Sequence, residues 1–198
     1  MARSLAHQPP IPARLLETDD EAGLVARAQA GDGQAFALLY RRHVDAIYRF
    51  SVRRLGNREE AEDATSLVFT RALAALPAYR PGSFRAWLFA IAVNAVGDRD
   101  RERARHPEQP LADEAPVFDA RPSPEELAIA GDEARTLRVL LATLPPDQRR
   151  AVELRLSGLS GEEIAAVLGR NRAAVDALHY RAVTRLRALL AEETRDAR

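Results

Sequence analysis

Apolar residues recur at helical spacing along most of the chain. Over residues 33–55 they form one stripe with a 3.6-residue period, at Phe36, Leu39, Tyr40, Val44, Ile47, Tyr48, Val52 and Leu55. Asp32 before this segment and Gly56 after it are residues that typically begin and end a helix. The two-residue alternation that indicates a β-strand is absent from the chain. The pattern therefore predicts an all-α fold.

Three further helices are predicted in the first half of the chain from the residues that can cap them. They cover about residues 19–30, a segment from Asn57 to about Leu76, and a segment that follows Ser83 after a turn around Tyr79. The predicted caps are Thr18 with Glu21 and Asn57 with Glu60, both at capping-box spacing, and Ser83 alone. The side of the last helix that we expect to face the core carries Phe84, Trp87, Leu88, Ile91 and Ala95.

The second half of the chain contains similar helix-capping residues. A Ser-Pro-Glu-Glu start at residues 123–126 predicts a helix to about Leu144, and further helices are predicted over about 147–156, 161–168 and 172–193. Ser160 with Glu163 forms the capping box of the third of these. The inward face of the last one carries Val175, Leu178, Ala182 and Leu186. A short helix, a three-residue turn containing Gly169 and a longer helix are the parts of a helix-turn-helix.

The formal net charge of zero conceals an uneven distribution along the 198 residues. Residues 19–105 carry a net charge of +2 and residues 133–198 carry +3, whereas residues 106–132 carry −6 and contain five prolines. Because proline removes backbone donors and blocks helix, this acidic stretch indicates an irregular linker. We therefore predict an N-terminal extension over 1–18, a helical domain over 19–105, a flexible linker over 106–123 and a second helical domain over 124–194.

Composition excludes several classes of protein. The chain has no cysteine, which excludes disulfides and thiolate metal sites, and no apolar run approaches the 18 residues of a membrane span. The N-terminus lacks the apolar core of a signal peptide. The four histidines have no metal-ligand spacing, and there is no glycine-rich phosphate loop or catalytic constellation. We expect a cytoplasmic protein that is not an enzyme and needs no cofactor or metal.

The helix-turn-helix is the first candidate for nucleic-acid binding. In such a motif the N-terminal residues of the second helix lie at the base edges of the major groove, where arginine reads guanine. The outward positions here are Arg170, Asn171, Arg172, Ala173, Asp176, His179, Tyr180 and Arg181. The alternative is a solvated helix of an ordinary bundle, and Asp176 favours it because phosphate repels a carboxylate.

Two more surfaces could bind a partner. The helix after Ser83 ends in a polar face with Asn94, Asp98, Arg99, Arg101, Arg103 and Arg105, which is a nucleic-acid surface or merely a charged helix end that suits the helix dipole. Tyr79 is the better base-stacking candidate, since Phe84 and Trp87 lie on the apolar stripe. The acidic face of Glu59, Glu60, Glu62 and Asp63 is a docking surface or a complement to the helix dipole.

In this order, the segments resemble a known family. The stretches FRAWLFAIAVN at 84–94 and LPPDQRRAVELRLSGLSGEEIAAVLG at 144–169 are similar to regions 2 and 4 of the small, extracytoplasmic-function class of sigma-70 factors. The match covers about residues 20–105 and 130–192. The resemblance implies a protein that binds core RNA polymerase, directs it to promoters for transcription initiation, and is often held inactive by an anti-sigma factor.

The resemblance also implies a role for particular residues. Region 2 would dock on the coiled coil of the beta-prime subunit through Glu62, Asp63, Ser66 and Phe69. It would bind the −10 promoter element through Tyr79, Asn94, Asp98, Arg101 and Arg105. Region 4 would contact the beta flap of the polymerase and bind the −35 element through Arg170, Asn171, Arg172, Ala174, Asp176, His179, Tyr180 and Arg181.

Three positions at two sites depart from the family pattern. Ser66-Leu67 stands where the family usually has Gln-Glu, and Asp176 stands where it usually has a basic residue. Two other functions therefore stay open. One is a stand-alone helix-turn-helix regulator, and the other is a sigma-like interaction protein that has lost promoter reading.

Overall fold

A computed structural model describes residues 20–105 and 134–196, and within them the structure is helical with no strand. The helices are α1 (Glu21–Gln29), α2 (Gly33–Leu55), α3 (Arg58–Ala75), α4 (Phe84–Arg105), α5 (134–142 in its described part), α6 (Pro146–Leu156), α7 (Gly161–Leu168) and α8 (Arg172–Asp196). A 3₁₀ turn over Leu76–Ala78 follows α3. The all-α prediction is confirmed. The extension over 1–18, the linker over 106–123 and the predicted start of α5 near Ser123 lie outside the described residues.

Local caps set the ends of the first four helices largely as predicted. The Asp32 carboxylate accepts hydrogen bonds from the backbone N–H groups of Gln34 and Ala35, and Gly56 ends α2 in the left-handed conformation with φ at 75°. Asn57 Oδ1 accepts from Glu60 N, and Ser83 Oγ accepts from Ala86 N. Glycine at position 56 supplies a backbone angle that other residues adopt only with strain.

The predicted capping box of Thr18 with Glu21 is wrong. The N-cap of α1 is Asp20, and the carboxylate of Glu21 instead lies 2.8 Å from Nε2 of His43 on α2. His43 is buried, so the pair satisfies a polar group inside the α1–α2 contact. The Glu21 carboxylate therefore pairs with His43 of another helix instead of capping the backbone of its own helix.

The core of the first region lies where α2, α3 and α4 meet. Leu39, Ile47, Leu88 and Phe89 are fully enclosed, and the rings of Phe50 and Phe89 meet edge-to-face with centroids 5.6 Å apart. The predicted stripe of α4 is confirmed at Phe84, Leu88 and Ala95, while Trp87 and Ile91 are only half-buried. Phe89 was not among the predicted core residues, because the core covers more of α4 than one narrow stripe.

The second region is a smaller bundle of α5 to α8 that contains the predicted helix-turn-helix. Ser160 and Glu163 form the complete capping box of α7, and Gly169 ends that helix in the left-handed conformation with φ at 61°. The predicted inward positions of α8 are confirmed at Val175, Leu178 and Ala182, which are buried, while Leu186 is half-buried and packs against the edge of a small core. A separate small core joins α5, α6 and α8 through Leu141, Leu144, Val152 and Ala182.

The two regions pack against each other, mainly through α4 and α7. Leu154, Leu159, Ile164, Ala165 and Val175 of the second region belong to the same apolar cluster as the core of the first. Hydrogen bonds flank this contact. In each of them a side chain of the first region donates to the second region. Ser83 Oγ donates to Glu163 Oε1 (2.8 Å), Arg85 Nη2 to Ser157 O (2.6 Å) and Arg53 Nη2 to Ser157 Oγ (2.6 Å).

A buried carboxylate adds an ionic tie between the regions. Glu153 on α6 is 1% exposed and accepts from Arg54 Nη1 of α2 at 2.8 Å and from Arg149 Nε of its own helix at 2.7 Å. A buried carboxylate costs free energy unless charged hydrogen-bond donors surround it. The position of Glu153 therefore depends on an arginine from the other region.

Candidate nucleic-acid interface

The start of α8 is the exposed edge that the sequence predicted for base contacts. Asn171 caps the helix, because its Oδ1 accepts a hydrogen bond from Ala174 N at 2.8 Å. Arg170, Asn171 and Arg172 are exposed, and Tyr180 is 75% exposed. Asn171 thus has a structural role of its own, and its two amide N–H donors remain available for other partners.

Arg172 is held in a network of carboxylates. Its Nε lies 3.0 Å from both carboxylate oxygens of Asp176, one helical turn further along α8. Its Nη1 lies 3.6 Å from Glu162 Oε1 on α7. The guanidinium rests over Gly161, where an added Cβ would stand 2.3 Å from Cζ. The i, i+4 spacing of Arg172 and Asp176 indicates this ion pair in the sequence. The contact of Arg172 with Glu162 joins two helices and is evident only from the structure.

Arg170 also has a carboxylate partner. Its Nη2 forms a short ion pair with Asp147 Oδ2 in the first turn of α6, and Asp147 lies 3.7 Å from Arg150 Nη1. Both arginines of the turn and helix start are therefore oriented by acids of their own region. No sequence signal links Arg170 to Asp147, since they are 23 residues apart.

The remaining predicted residues of α8 differ in exposure. Ala174 and His179 are half-buried, whereas Asp176 and Arg181 are exposed. Burial lowers the pKa of His179, with Arg155 acting in the same direction and Asp176 opposing it. Its Nε2 is enclosed and has no hydrogen-bond partner among the described residues. These facts favour a neutral imidazole that lies partly beneath the exposed edge.

The end of α4 carries the second predicted surface. Asn94, Asp98, Arg101 and Arg105 are all exposed. Asp98 accepts from Arg101 Nη2 at 2.5 Å and from Arg71 Nη1 of α3 at 3.3 Å, and these two arginines hold its pKa below the usual value. Sequence reasoning missed Arg71, which comes from a different helix.

Tyr79 belongs to an aromatic cluster at the N-terminal end of α4. Its ring centroid lies 5.0 Å from that of Trp87 and 5.8 Å from that of Phe84, and its hydroxyl donates to Gly82 O at 2.7 Å. Gln29 of α1 donates to the carbonyls of Leu76 and Tyr79. Burial raises the pKa of the Tyr79 hydroxyl. The turn is thereby fixed, with Phe84 in the core and Tyr79 half-buried.

The acidic face lies on α3. Glu62 and Asp63 are exposed and pair with Arg58 Nε at 2.8 Å and Arg99 Nη2 at 3.4 Å. Ser66 is exposed, but Phe69 is 5% exposed and packs edge-to-face on Tyr40 with centroids 4.6 Å apart. Three of the four residues predicted for polymerase docking are thus on the surface, and the fourth lies beneath it.

The two candidate DNA surfaces meet in this structure. Asn94, Gly97 and Arg101 of α4 line one side of an open cavity of about 290 Å³, and Asp147, Arg150 and Arg170 line the other. The sequence predicted Asn94, Arg101 and Arg170 as site residues, but neither their proximity nor the presence of Gly97, Asp147 and Arg150 beside them. This contact places part of both polar surfaces opposite each other.

Metal and membrane sites are not found in the part of the chain that the structure describes. No group of three or more His, Cys, Asp or Glu side chains there is arranged to hold a metal ion. None of the described helices combines the length and hydrophobicity that a bilayer crossing requires.

Comparison with protein families identifies both regions. Residues 39–106 match the model of Sigma-70 region 2, and residues 134–186 match that of Sigma-70, region 4. These two ranges contain the α2–α4 core and the helix-turn-helix described above. They occur in the order that the sequence resemblance predicted.

Two of the curated relatives are both named ECF RNA polymerase sigma factors. The ECF RNA polymerase sigma factor BldN of Streptomyces coelicolor is 37% identical over 175 residues, which are 87% of this chain and 66% of that protein. The factor ShbA of Streptomyces griseus is 38% identical over 185 residues, or 87% of this chain and 96% of that protein. The chain thus spans about two thirds of one relative and nearly all of the other.

Solved structures are similar to most of the chain. CnrH in complex with the cytosolic domain of CnrY aligns with a TM-score of 0.68 and 29% identity, over 88% of this chain and 99% of that one. The sigma factor RpoE in complex with the anti-sigma factor NepR from Bartonella quintana aligns with a TM-score of 0.59 and 25% identity, over 79% and 96%. From its two family regions and its curated relatives, the chain belongs to the ECF sigma factors of the sigma-70 family.

Proposed function

We propose that this protein binds core RNA polymerase and directs it to specific promoters for transcription initiation. The observation that carries the proposal is the ordered pair of sigma regions, with an exposed, arginine-bearing helix start in the second. It acts by binding and not by catalysis, and it works in the cytoplasm together with the polymerase. A solved relative in complex with an anti-sigma factor supports control by such a partner.

The −35 element is assigned to the start of α8. Arginine can donate two hydrogen bonds to guanine O6 and N7 in the major groove, and this is the commonest base-specific contact. Arg170 and Arg172 stand at the exposed turn and first helical position, and Tyr180 and Arg181 continue the surface along the helix. The half-buried Ala174 and His179 support this edge from beneath.

The −10 element and the polymerase are assigned to the first region. Asn94, Asp98, Arg101 and Arg105 are exposed on the C-terminal half of α4, and the turn that carries Tyr79 precedes the N-terminal end of the same helix. The exposed Glu62, Asp63 and Ser66 of α3 are assigned to the polymerase contact, with Phe69 packed beneath them. The two surfaces lie on different helices, so that one region can serve both partners.

The contact between the regions has to open when both promoter elements are bound. The positions −35 and −10 differ by about 25 base pairs, which is about 85 Å along B-DNA. Asn94 and Arg170 instead line one cavity of about 290 Å³. The structure therefore represents a closed arrangement, in which the two assigned surfaces cannot reach their separate elements together.

Run-off transcription with purified components tests the proposal. The templates are promoter fragments from the organism's own genome, and the reactions contain this protein alone, core polymerase alone, or both. We expect discrete transcripts only from the combined reaction. A stand-alone regulator would bind the fragments but not co-purify with polymerase. A sigma-like protein that has lost promoter reading would bind polymerase without yielding a discrete transcript, and either result would contradict the proposal.

A further inference from the structure

The carboxylate of Asp176 occupies an unexpected place for a DNA-reading helix. A negative charge there repels phosphate, yet the side chain is half exposed on the same face as Arg172 and both of its oxygens lie 3.0 Å from Arg172 Nε. We propose that Asp176 is a specificity-determining positioning residue, which holds the Arg172 guanidinium for guanine recognition in the −35 element. This inference rests on the proposed function of the region.

The atoms of the pair suit this role. Asp176 takes the Nε–H of Arg172, and the two Nη groups carry the four remaining N–H donors. Guanine recognition needs two parallel donors aimed at O6 and N7. A guanidinium held at Nε can present its Nη groups in a fixed direction. An arginine without this restraint would lose more rotamer freedom on binding, because its long side chain has several rotatable bonds.

A second restraint comes from α7. Glu162 Oε1 lies 3.6 Å from Arg172 Nη1, and the guanidinium lies over Gly161. A Cβ at position 161 would stand 2.3 to 2.6 Å from three guanidinium atoms, so that only glycine leaves the space for this arrangement. The first helix of the motif thus provides both a carboxylate and a gap for an arginine of the second helix.

The charges of this cluster predict opposite effects on affinity and specificity. Arg172, Asp176 and Glu162 together carry a net charge of −1, so that the cluster contributes little attraction to phosphates. Nonspecific binding follows the number of cation–phosphate contacts, whereas base discrimination follows the geometry of the donors. Removal of the Asp176 charge should therefore strengthen generic binding while it weakens the preference for guanine.

The test selects randomised −35 sequences with the holoenzyme, formed from core polymerase and the full chain. Four chains are compared: the wild type, Asp176→Asn, Arg172→Lys and Glu192→Gln. Glu192 is an exposed acid further along α8, so that Glu192→Gln removes the same charge without touching Arg172. Thermal unfolding of each chain checks that the fold is retained.

We expect the wild type to enrich guanine at one position and Asp176→Asn to reduce that preference about tenfold, with unchanged or tighter binding to random duplex. Arg172→Lys should also lose the preference, because lysine lacks the fork of donors. Glu192→Gln should keep it.

Three outcomes would overturn the inference while leaving the proposed function intact. These are an Asp176→Asn profile equal to that of Glu192→Gln, a guanine preference that survives in Arg172→Lys, or a sharper preference in Asp176→Asn. The last result would mean that the carboxylate masks Arg172. Failure of the wild-type holoenzyme to enrich any −35 sequence would instead contradict the proposed function itself.

Discussion

The two regions bury their apolar residues in different ways. The first region has a continuous core, mostly of leucine, alanine, valine and phenylalanine, to which α1, α2, α3 and α4 contribute. The second has a small core of its own around Leu141 and Leu144, while Ile164, Val175 and their neighbours join the core of the first region. The smaller region therefore depends on the larger one for part of its burial. Opening the contact exposes apolar surface mainly on α4 and α7.

The largest expected loss of stability comes from a cavity in the apolar core that the two regions share. Phe89 is fully buried on α4, and its replacement by alanine should cost about 3–5 kcal/mol of unfolding free energy. Chemical denaturation measures the loss, and hydrogen exchange should show faster opening of α7 as well as α4. The control Val139→Ala, at a side chain that is 62% exposed, should change stability by less than about 0.5 kcal/mol. Unchanged exchange in α7 would mean that the second region stands alone.

The second effect concerns the ionic tie between the regions. Glu153→Gln removes the charge that attracts Arg54 and Arg149, whose side chains are 13% and 19% exposed. Breaking a fully buried pair costs about 3–5 kcal/mol, and we expect about 2 kcal/mol here because solvent reaches both arginines. The matched change Glu62→Gln affects only an exposed pair and should cost under about 1 kcal/mol.

Measuring the distance between the two regions extends the comparison of Glu153→Gln with Glu62→Gln. Since the chain has no cysteine, a pair introduced at the exposed Leu73 and Leu190 can carry fluorescent dyes. Glu153→Gln should lower energy transfer between the regions, whereas Glu62→Gln should leave it unchanged. Equal transfer in the two variants would contradict a role for Glu153 in the closed arrangement.

Sequence reasoning succeeded where the determinants are local. The range of α2 was predicted residue for residue, because Asp32 and Gly56 act on their immediate neighbours. The helix-turn-helix was predicted from the Ser160–Glu163 box and Gly169 for the same reason. The partner of Glu21 was mispredicted, because a histidine 22 residues away competed with the local backbone.

The contacts between helices could not be predicted in this way. Arg54 and Glu153 are 99 residues apart, and Arg71 and Asp98 are 27 apart on different helices. A charge pattern shows which residues are ionised, but it does not show which of several carboxylates an arginine reaches. The closed arrangement and the pairing of Arg170 with Asp147 both depend on which arginine and carboxylate the tertiary fold brings together.

A smaller effect is expected from reversing a charge on the second region. Asp176→Arg should tighten binding to nonspecific duplex severalfold and make the salt dependence steeper by about one phosphate contact. Titration of labelled DNA at several salt concentrations measures both quantities. Glu192→Arg makes the same charge change further along α8 and is the control. Equal effects of the two variants, or an unchanged slope in Asp176→Arg, would show that this position does not approach DNA.

The smallest effect compares the buried His43 of the first region with the half-buried His179 of the second. Burial lowers the pKa of His43, against the opposing charge of Glu21 and with help from Arg42 and Arg85, and burial also lowers the pKa of His179. Between the lowered pKa and about 6.5, the unfolded chain binds more protons than the folded one, so that stability should fall as the solution is acidified through this window.

Imidazole NMR titration of the two residues measures the pKa values directly, and denaturation at pH 7.5 and pH 5.5 measures the linked loss of stability. His43→Gln should reduce the pH dependence of the first region while leaving the His179 titration unchanged. A pKa of His43 above 6.5 would reverse the sign. It would show that the Glu21 carboxylate, rather than burial, controls the imidazole, and that the α1–α2 contact tightens on acidification.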